Sequence, residues 1–484
     1  MNSDIPFFDV VIVGAGLSGI GAAYHLQNKC PNKNFIVLEG RSSMGGTWDL
    51  FKYPGIRSDS DMYTLGFSFN PWKNPKAIAD GPSILQYVKD TAQKFHIDEK
   101  IRYNHQVIDA NWSTIKNRWT LKLVAHPNVG YDQIHCKFLF TCCGYYDYRQ
   151  GYVPAFPNSE SFEGIIVHPQ KWDGKLSYEN KKVVVIGSGA TAVTLVPEMA
   201  KKAEKVVMLQ RSPTYIVSLP SEDVVANFLR KVLPGQLAYR ITRWKNILFS
   251  LSFYNASRTW PNAIRKLIQK GIKKELGKTV DLKNFDPPYN PWDQRLCIVP
   301  DADLFHALKS GKAEIITDTI RHFTPHGILL NSGKELEADI IVTATGLKVQ
   351  LLGGMTLHVN DQLAEPKDIH CYRGVMFSNI PNFAVAIGYT NASWTLKCDL
   401  SCSYVTRIIN YMDEHHHSVC TPRFDNTEFS SEPLLDFDAG YIKRALDIMP
   451  KQGSRAPWKV YQNYLKDSLS FKYSKLKNKY LEFK

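Results

Sequence analysis

The fold is decided by Asp9-Val-Val-Ile-Val-Gly14-Ala-Gly16-Leu-Ser-Gly19 and by Phe35-Ile-Val-Leu-Glu39 a little further along the chain. The first apolar, β-branched run predicts a buried parallel strand, and residues 35–38 predict the next one. Residues 20–26, which lie between the two runs, predict a helix. This order of strand, glycine-rich turn, helix, strand and acidic residue is typical of a Rossmann-like dinucleotide-binding unit.

Each residue type in this first unit suits one part of a dinucleotide. Gly14, Gly16 and Gly19 permit the tight turn, the close approach of the pyrophosphate and the packing of helix on strand. The helix N-terminus attracts the negative pyrophosphate, and Ser18 can donate a hydrogen bond to a phosphate there. Glu39 favours a ribose without a 2′-phosphate, so the unit is predicted to bind FAD or NAD.

A second unit begins with the apolar run Lys182-Val-Val-Val-Ile186, followed by the turn Gly187-Ser188-Gly189-Ala190-Thr191-Ala192. A helix is predicted over residues 193–202 and a strand over residues 206–209. This strand ends in Gln210-Arg211-Ser212 instead of an acidic residue. Arg211 can pair with a ribose 2′-phosphate, so this unit is predicted to bind NADPH. The alternative is that Arg211 is an ordinary surface arginine.

Between the two turns, residues 162–173 read Phe-Glu-Gly-Ile-Ile-Val-His-Pro-Gln-Lys-Trp-Asp. Phe162, Gly164, His168, Trp172 and Asp173 follow the spacing F-x-G-x-x-x-H-x-x-x-W-[PD]. One interpretation is a linker that couples the two nucleotide domains, in which His168 positions the second domain without touching substrate. The other is a surface linker whose histidine and aromatic side chains pack locally.

A further glycine-rich stretch reads Gly45-Gly46-Thr47-Trp48-Asp49-Leu50-Phe51-Lys52-Tyr53-Pro54-Gly55-Ile56-Arg57-Ser58-Asp59. Its glycines permit the backbone to approach a ring system, and Trp48 can form a wall beside that ring. Asp59 is the acidic residue of interest. It is either a functional acid or a turn-capping residue after Pro54-Gly55.

Residues 224–278 carry an uneven share of the net charge of +13. This segment contains twelve basic residues and one acidic residue, and its pattern is largely helical. One interpretation is an interfacial amphipathic helix that meets anionic lipid, which would place a cytoplasmic protein peripherally on a membrane. The other, which we favour, is a helical insertion that packs its apolar face over the active site. Both can hold together.

The composition bounds the class of protein. The chain has 484 residues, 44% of them hydrophobic and 22% charged, which indicates a globular protein of about three domains. No apolar run reaches the ~18–20 residues that span a bilayer, and the first residues lack a secretory signal pattern, so we expect a cytoplasmic protein. The nine cysteines form no C-x-x-C motif, which argues against a disulfide reductase and against a zinc site. We expect reduced thiols, no metal and no nucleic-acid partner.

The two spaced fingerprints and the two nucleotide motifs, over residues 9–464, resemble class B flavoprotein monooxygenases, the Baeyer–Villiger enzymes. Four blocks, among them Gly46–Phe51 and Gly388–Lys397, carry a closer match to a mycobacterial subgroup. The resemblance implies an α/β fold of two Rossmann-like domains, for FAD and NADPH, with a helical insertion in the NADPH domain. We expect FAD-domain sequence at 1–150 and 381–484 (including the C-terminal tail), NADPH-domain sequence at 151–218 and 316–380, and the insertion at 219–315.

The resemblance also assigns residues to each cofactor. FAD is expected to contact Gly14, Gly16, Ser18, Gly19, Glu39, Gly46, Thr47, Trp48, Asp49, Leu50, Asp59, Val107 (by position only) and Asn391. NADPH is expected to contact Gly187, Ser188, Gly189, Ala190, Thr191, Ala192, Arg211 and Ser212. For Asn391 a helix cap is the alternative.

Arg295 matches the arginine that the family places over the flavin, and Asp59 matches the acid that pairs with it. A guanidinium is permanently charged and rigidly forked, which suits it to stabilising an anion. Many members have lysine before this arginine, whereas this chain has Gln294. The alternative is a local ion pair between Arg295 and Asp293.

The implied activity is insertion of one oxygen atom from dioxygen into a small organic ketone, through a C4a-peroxyflavin, to give an ester or lactone. Oxygenation of thioethers, thioamides or thiocarbonyls by the same flavin is implied as well. One alternative is a flavin monooxygenase that oxygenates nitrogen or sulfur only. Another is a non-catalytic flavoprotein that senses NADPH or docks on membranes.

Overall fold

Two sheets, each with a parallel core, organise the protein in a computed structural model that describes residues 5–124, 131–277, 281–434 and 440–484. Lys278, the last residue of the predicted basic segment, lies outside the described residues. Each sheet receives one of the two glycine-rich turns at the carboxyl end of a central strand. The predicted α/β architecture with two Rossmann-like units is confirmed.

The first sheet has nine strands, in which Phe7–Val13 lies between Gln133–Thr141 and Phe35–Leu38. Their order across the sheet is Gln362–Leu363, Thr356–Val359, Val107–Ser113, Arg118–Leu123, Gln133–Thr141, Phe7–Val13, Phe35–Leu38 and Ile101–Arg102, with Phe383–Val385 also paired to Gln133–Thr141. Trp119, Leu121 and Leu123 are buried at alternating positions, as their spacing predicts.

The second sheet has five parallel strands. Their order is Ala313–Thr317, Lys205–Gln210, Lys182–Ile186, Ile340–Thr343 and Ile165–Val167. The edge strand Ile165–Val167 comes from the central part of the 162–173 fingerprint. That segment is therefore an integral strand of the second sheet as well as a connection between domains.

The α-helices follow the chain in a simple order. They are α1 (Leu17–Lys29), α2 (Thr47–Leu50), α3 (Met62–Leu65), α4 (Gly81–Lys94), α5 (Ala190–Met199), α6 (Val224–Val232), α7 (Gly235–Thr259), α8 (Pro261–Leu276), α9 (Asp303–Lys309), α10 (Trp394–Glu414), α11 (Gly440–Lys443) and α12 (Tyr464–Tyr473). None of the helices in the described part of the chain combines the length and apolar character that a bilayer crossing requires. Helices α6–α8 lie within the insertion predicted at 219–315, and the chain leaves and re-enters the second domain through the parallel pair Ile216–Leu219 and Cys297–Pro300. The predicted end at residue 315 differs from the structure, in which Ala313–Thr317 is a strand of the second sheet.

Smaller antiparallel sheets complete the molecule. They are Ile320–Thr324 with Gly327–Leu330 and Glu335–Glu337, Tyr146–Gly151 with Leu347–Val349, Cys371–Tyr372 with Met376–Phe377, Cys420–Pro422 with Leu481–Phe483, and Ser431–Pro433 with Lys451–Gly453. The pair Tyr146–Gly151 and Leu347–Val349 joins the two chain segments that run between the nucleotide domains.

The predicted domain boundary at residue 380 grouped the strands Thr356–Val359 and Gln362–Leu363 with the second domain, whereas in the structure they belong to the first sheet. Thr356–Val359 pairs in parallel with Val107–Ser113 of the first sheet. This register buries Leu357 in the apolar core that contains Trp112 and Trp119. Burial of that side chain, and not chain proximity to the second unit, fixes the strand in the first sheet.

Candidate active site

The first glycine turn lies at the end of Phe7–Val13, directly before α1. Glu39, at the end of the neighbouring strand, is 7% exposed. One carboxylate oxygen accepts from the Ala15 N–H at 2.8 Å and the other from the Arg41 N–H at 2.9 Å. Burial raises the pKa of the Glu39 carboxyl, against the lowering effect of these two amides and of the Arg41 charge. The acidic group is thus fixed beside the turn, as a ribose-binding acid must be.

Gly46 brings a second backbone segment against this turn. Its φ of +57° lies in the left-handed region, and a Cβ placed there would lie 3.1 Å from the Gly16 Cα and 3.2 Å from the Tyr148 hydroxyl. The Thr47 hydroxyl lies 3.4 Å from the same phenol, and Trp48 packs against the apolar cores of both nucleotide units. Two backbone segments without side chains, an acidic residue and an aromatic wall fit the requirements of FAD.

Several residues predicted to contact a cofactor have partners within the protein. Asp49 is buried, forms an ion pair with Arg41 at 2.7 Å, and accepts from the Ser43 hydroxyl at 2.5 Å. Leu50 packs against the core of the second unit, and Ala192 is fully buried under the second turn. These side chains therefore stabilise the protein around the site. Their contacts with a cofactor stay predictions.

Ser18 and Val107 are likewise buried inside the first domain, at 5% and 4% exposure. The Ser18 hydroxyl accepts from the Trp394 indole at 2.9 Å and lies 3.3 Å from the Cys398 thiol. It therefore joins α1 to α10, a contact for which the sequence offers no signal. Val107 begins a strand of the first sheet.

The second glycine turn presents a more open face. A Cβ placed on Gly189 would meet no atom within 4 Å, and α5 begins at the next residue, Ala190. The Ser188 hydroxyl donates to the Ser212 carbonyl at 3.2 Å, which joins the turn to the end of the strand Lys205–Gln210. Arg211 is exposed beside this junction. A helix N-terminus, an open glycine and an exposed arginine fit a nucleotide that carries a 2′-phosphate.

His168 lies at the crossing between the domains. Its Nδ1 accepts from the Gln170 N–H at 3.1 Å, so Nε2 carries the proton and donates to the Gly346 carbonyl at 3.2 Å. The Tyr152 N–H donates to the same carbonyl at 3.1 Å. A Cβ on Gly151 would lie only 1.9 Å from the imidazole, so the ring occupies that space. Burial lowers the pKa of His168 and favours this neutral form.

The rest of the fingerprint packs locally. Phe162 is buried above Gly164 and meets Phe323 edge-on at 6.4 Å, while Trp172 packs against the core of the second sheet. Asp173 accepts from a backbone amide two residues further on at 2.9 Å. Both interpretations of the fingerprint therefore describe part of it, since His168 lies at the domain crossing and the aromatic side chains fill the second domain.

Arg295 lies beside Asp59, with its Nη1 3.8 Å from the carboxylate. Its Nε donates to the Thr390 carbonyl at 3.4 Å. Asp293, the alternative local partner, instead forms an ion pair with Arg258 at 2.5 Å. The structure thus brings together the arginine and the acid that the resemblance paired, although they lie far apart in the sequence.

Arg295 also lies where the two nucleotide units meet. The Cys297 thiol, two residues away, donates to the carbonyl of Ser188 in the second turn at 3.8 Å. Thr390, whose carbonyl accepts the hydrogen bond from Arg295, follows the Phe383–Val385 strand of the first sheet. The short segment from Arg295 to Cys297 therefore contacts a loop of the first domain and the glycine turn of the second.

Asn391 is buried next to this loop. Its Nδ2 donates to the Gln462 carbonyl at 3.0 Å, and its Oδ1 has no hydrogen-bond partner among the described residues. Helix α10 begins after Ser393, so Asn391 precedes the N-cap position. An unpaired buried oxygen is costly, and a bound cofactor or substrate that donates a hydrogen bond would satisfy it.

A small cleft opens beside Asn391. Helix α7 supplies much of its wall through Ile247, Leu251 and Tyr254, and Gln462 lines it from the C-terminal side. Sequence reasoning missed Gln462, which no motif marks. It placed the insertion over the active site, but it did not name these lining residues.

The long insertion helix α7 is anchored to the first domain. Arg243 is 6% exposed and donates to the carbonyls of Tyr63 at 2.7 Å and Gly66 at 2.8 Å, at the end of α3. The Tyr239 hydroxyl donates to the Phe67 carbonyl at 3.0 Å. A guanidinium that caps carbonyl groups at a helix end is electrostatically favourable. The insertion of one domain thereby covers the other.

Two family models match the chain. One, described as flavin-binding monooxygenase-like, covers residues 67–409, and another, described as an NAD(P)-binding Rossmann-like domain, covers residues 12–78. The second match includes the first glycine turn and Glu39. The first extends from Phe67, after α3, through the insertion and into α10.

Curated relatives match over almost the full length. The chain is 52% identical to the FAD-containing monooxygenase EthA of Mycobacterium tuberculosis over 98% of this chain and 97% of the relative. It is 51% identical to EthA of Mycolicibacterium smegmatis over the same shares. The solved structure of an oxidised steroid monooxygenase bound to NADP matches with a TM-score of 0.71 and 22% identity, over 86% of this chain and 88% of that one. At that identity the likeness establishes the fold.

Proposed function

The chain belongs to the flavin-binding monooxygenase-like family, and from that premise we propose that it is a Baeyer–Villiger monooxygenase with additional activity on sulfur. It converts small organic ketones to esters or lactones with one atom of dioxygen. It also oxygenates thioethers, thioamides or thiocarbonyls. FAD is the resident cofactor and NADPH the reductant.

The position of Arg295 is the observation that carries this proposal. It lies 3.8 Å from Asp59 and donates to the Thr390 carbonyl of the first domain, and Cys297, two residues further on, contacts Ser188 of the second glycine turn. A cation at the meeting point of an FAD site and an NADPH site suits chemistry that develops negative charge. An N-oxygenating or purely structural flavoprotein has no such need.

The cofactor and the residues around the site have different roles in the proposed reaction. Reduced by NADPH, bound FAD supplies the activation of dioxygen. Arg295 stabilises the negative charge that develops on a ketone oxygen as the new bond forms, and Asp59 orients the guanidinium. The cleft beside Asn391, lined in part by apolar side chains of α7, is the place that we propose for a small apolar substrate. Oxygenation of sulfur builds less charge on the substrate, so it depends less on Arg295.

Isotope incorporation tests the reaction. We expect the purified protein, incubated with NADPH, a methyl ketone and ¹⁸O-labelled dioxygen, to release an ester with one heavy oxygen, measured by mass spectrometry. A thioether in parallel should give a sulfoxide with one heavy oxygen. A protein without NADPH serves as the control for background oxidation.

The other outcomes separate the alternatives. A labelled sulfoxide without any ester from a series of ketones would replace the Baeyer–Villiger proposal with a sulfur or nitrogen monooxygenase. Failure to consume NADPH with every substrate would instead favour the non-catalytic flavoprotein.

We also propose that the insertion contacts an anionic membrane surface. Along α7, Leu237, Ile241, Trp244 and Leu248 form an apolar stripe at helical spacing, and each is at least 42% exposed. Further exposed apolar side chains are Phe249 on α7, Trp260 between α7 and α8, and Val224, Val225, Phe228, Val232 and Leu267 on the neighbouring helices. The same segment carries nearly all of the net positive charge of the chain, which complements anionic headgroups.

Vesicle sedimentation tests this contact. The protein should bind vesicles that contain phosphatidylglycerol more strongly than pure phosphatidylcholine, and the variant Phe228→Ser/Phe249→Ser should bind about 10-fold more weakly because two exposed aromatic anchors are lost. The matched control is Leu469→Ser on α12, which is 62% exposed, as is Phe249. Equal binding of the double variant and the wild type would exclude this surface.

A further inference from the structure

The Thr390–Asn391 loop, which accepts a hydrogen bond from Arg295, is bonded to Gln462 in the C-terminal part of the chain. The Gln462 side-chain oxygen accepts from the Thr390 N–H at 3.0 Å and from the Thr390 hydroxyl at 3.3 Å. The Gln462 carbonyl accepts from Asn391 at 3.0 Å. Three hydrogen bonds from one half-buried residue therefore fix the two residues that border Arg295 and the cleft.

The backbone of Gln462 is itself unusual. Its φ of +48° lies in the left-handed region, which costs a residue with a long side chain free energy that the surrounding structure must offset. This conformation accompanies a side chain and a carbonyl that both contact the Thr390–Asn391 loop. Strain of this kind clusters at functional sites, where it holds groups in place.

A buried ionic network anchors the same loop one residue earlier. The Tyr389 hydroxyl donates to the Asp467 carboxylate at 2.7 Å, and Lys397 forms an ion pair with that carboxylate at 2.6 Å. Lys397 and Asp467 are 2% and 6% exposed. Burial raises the pKa of Tyr389, with the neighbouring Asp467 charge adding to the effect, so the phenol stays a hydrogen-bond donor. Helices α10 and α12 thus share one fixed point under the loop.

We propose that Gln462 is a positioning residue for Arg295, acting through the direction of the Thr390 carbonyl. This inference rests on the proposed role of Arg295. The Thr390 carbonyl lies in the planar peptide group that joins Thr390 to Asn391, and Gln462 holds the residues on both sides of that group, which limits how the carbonyl can turn. The bond from Arg295 Nε to that carbonyl is 3.4 Å long, close to the limit for a hydrogen bond. A displacement of the Thr390 carbonyl by a few tenths of an ångström would therefore break this hydrogen bond.

The first experiment compares Gln462→Ala with Gln462→Glu, which keeps an oxygen acceptor of the same reach. Gln462→Ala should speed hydrogen exchange of the Thr390 amide by about 10-fold, because that N–H loses its partner. It should lower ester formation by about 10-fold while the rate of flavin reduction by NADPH changes less than about twofold. Gln462→Glu should restore both the protection and the ester yield.

A double variant separates positioning from general damage. In an Arg295→Ala background, Gln462→Ala should change ester formation by less than about twofold, because the residue through which Gln462 acts is gone. The matched control is Asn463→Ala, which removes the N-cap of α12 and its 3.1 Å bond from the Lys466 N–H. It should lower the thermal midpoint and leave ester formation unchanged.

Two results would overturn the inference. One is unaltered Thr390 exchange in Gln462→Ala, and the other is a 10-fold loss of ester in both the wild-type and the Arg295→Ala backgrounds. Either result leaves the proposed function intact if Arg295→Ala alone lowers ester formation by about 10²- to 10³-fold. A wild-type protein that forms no ester, by contrast, refutes the proposed function itself.

Discussion

Replacement of Arg295 by alanine is expected to lower ester formation from a ketone by about 10²- to 10³-fold, the usual effect of removing one preorganised group that stabilises developing negative charge. FAD content and the rate of flavin reduction by NADPH should stay close to those of the wild type, because Arg295 holds neither glycine turn. Sulfoxide formation from a thioether should fall less, since that reaction builds less charge on the substrate. Product yields by mass spectrometry and flavin reduction by stopped-flow absorbance measure these effects.

Arg258→Ala provides the matched control for this experiment. Arg258 is an arginine in the same region, paired with Asp293, and it is 48% exposed at its side chain. Its loss removes one positive charge close to Arg295 along the chain without removing the group that contacts Thr390 and Asp59. We expect ester formation within about twofold of the wild type. A normal ester yield from Arg295→Ala, or an equal loss in both variants, would refute the specific role of Arg295.

Replacement of Arg211 by alanine should raise the KM for NADPH by about 10- to 100-fold, because a charge-assisted hydrogen bond contributes about 1.5–3 kcal/mol. The KM for NADH should change less than about twofold, since NADH has no 2′-phosphate. The structure places Arg211 exposed at the end of Lys205–Gln210, next to Ser212 and the Gly187–Gly189 turn. Steady-state oxidation of the two nicotinamides at several concentrations gives both constants.

Arg321→Ala serves as the comparison for Arg211→Ala. Arg321 is also exposed, but it lies on the separate antiparallel sheet of the second domain, on strand Ile320–Thr324. Its removal lowers the net charge by the same amount, so it reports any general electrostatic effect on the binding of a negatively charged nucleotide. A parallel rise of both KM values in Arg211→Ala, or the same rise in Arg321→Ala, would move the 2′-phosphate contact elsewhere.

The nucleotide units could be predicted because their signals are local. A strand, a turn that needs glycine, a helix and a terminal acid lie within about thirty residues, and backbone geometry alone requires that order. Glu39 is therefore found at the turn, and its counterpart position in the second unit, Arg211, is found exposed at a strand end. Both assignments follow from residue type and spacing, with no knowledge of distant contacts.

The environment of Arg295 could be predicted only in part. The family resemblance paired Arg295 with Asp59, and the structure places them 3.8 Å apart. Residue chemistry alone left Asp293 as an alternative partner, and only the folded chain shows that Asp293 binds Arg258. Closeness in sequence is weak evidence for an ion pair, because exposed ion pairs contribute little free energy to the choice of conformation.

By itself, then, the sequence determined the two dinucleotide units and the family, since these depend on short segments whose backbone shape is set by glycine and by alternating apolar residues. Tertiary structure alone decided that Thr356–Val359 joins the first sheet, that α7 is anchored by Arg243, and that Gln462 holds the loop that receives Arg295. These contacts join residues far apart in the chain. Their formation depends on the burial of whole apolar surfaces, and no local pattern encodes which distant polar group will lie at the junction.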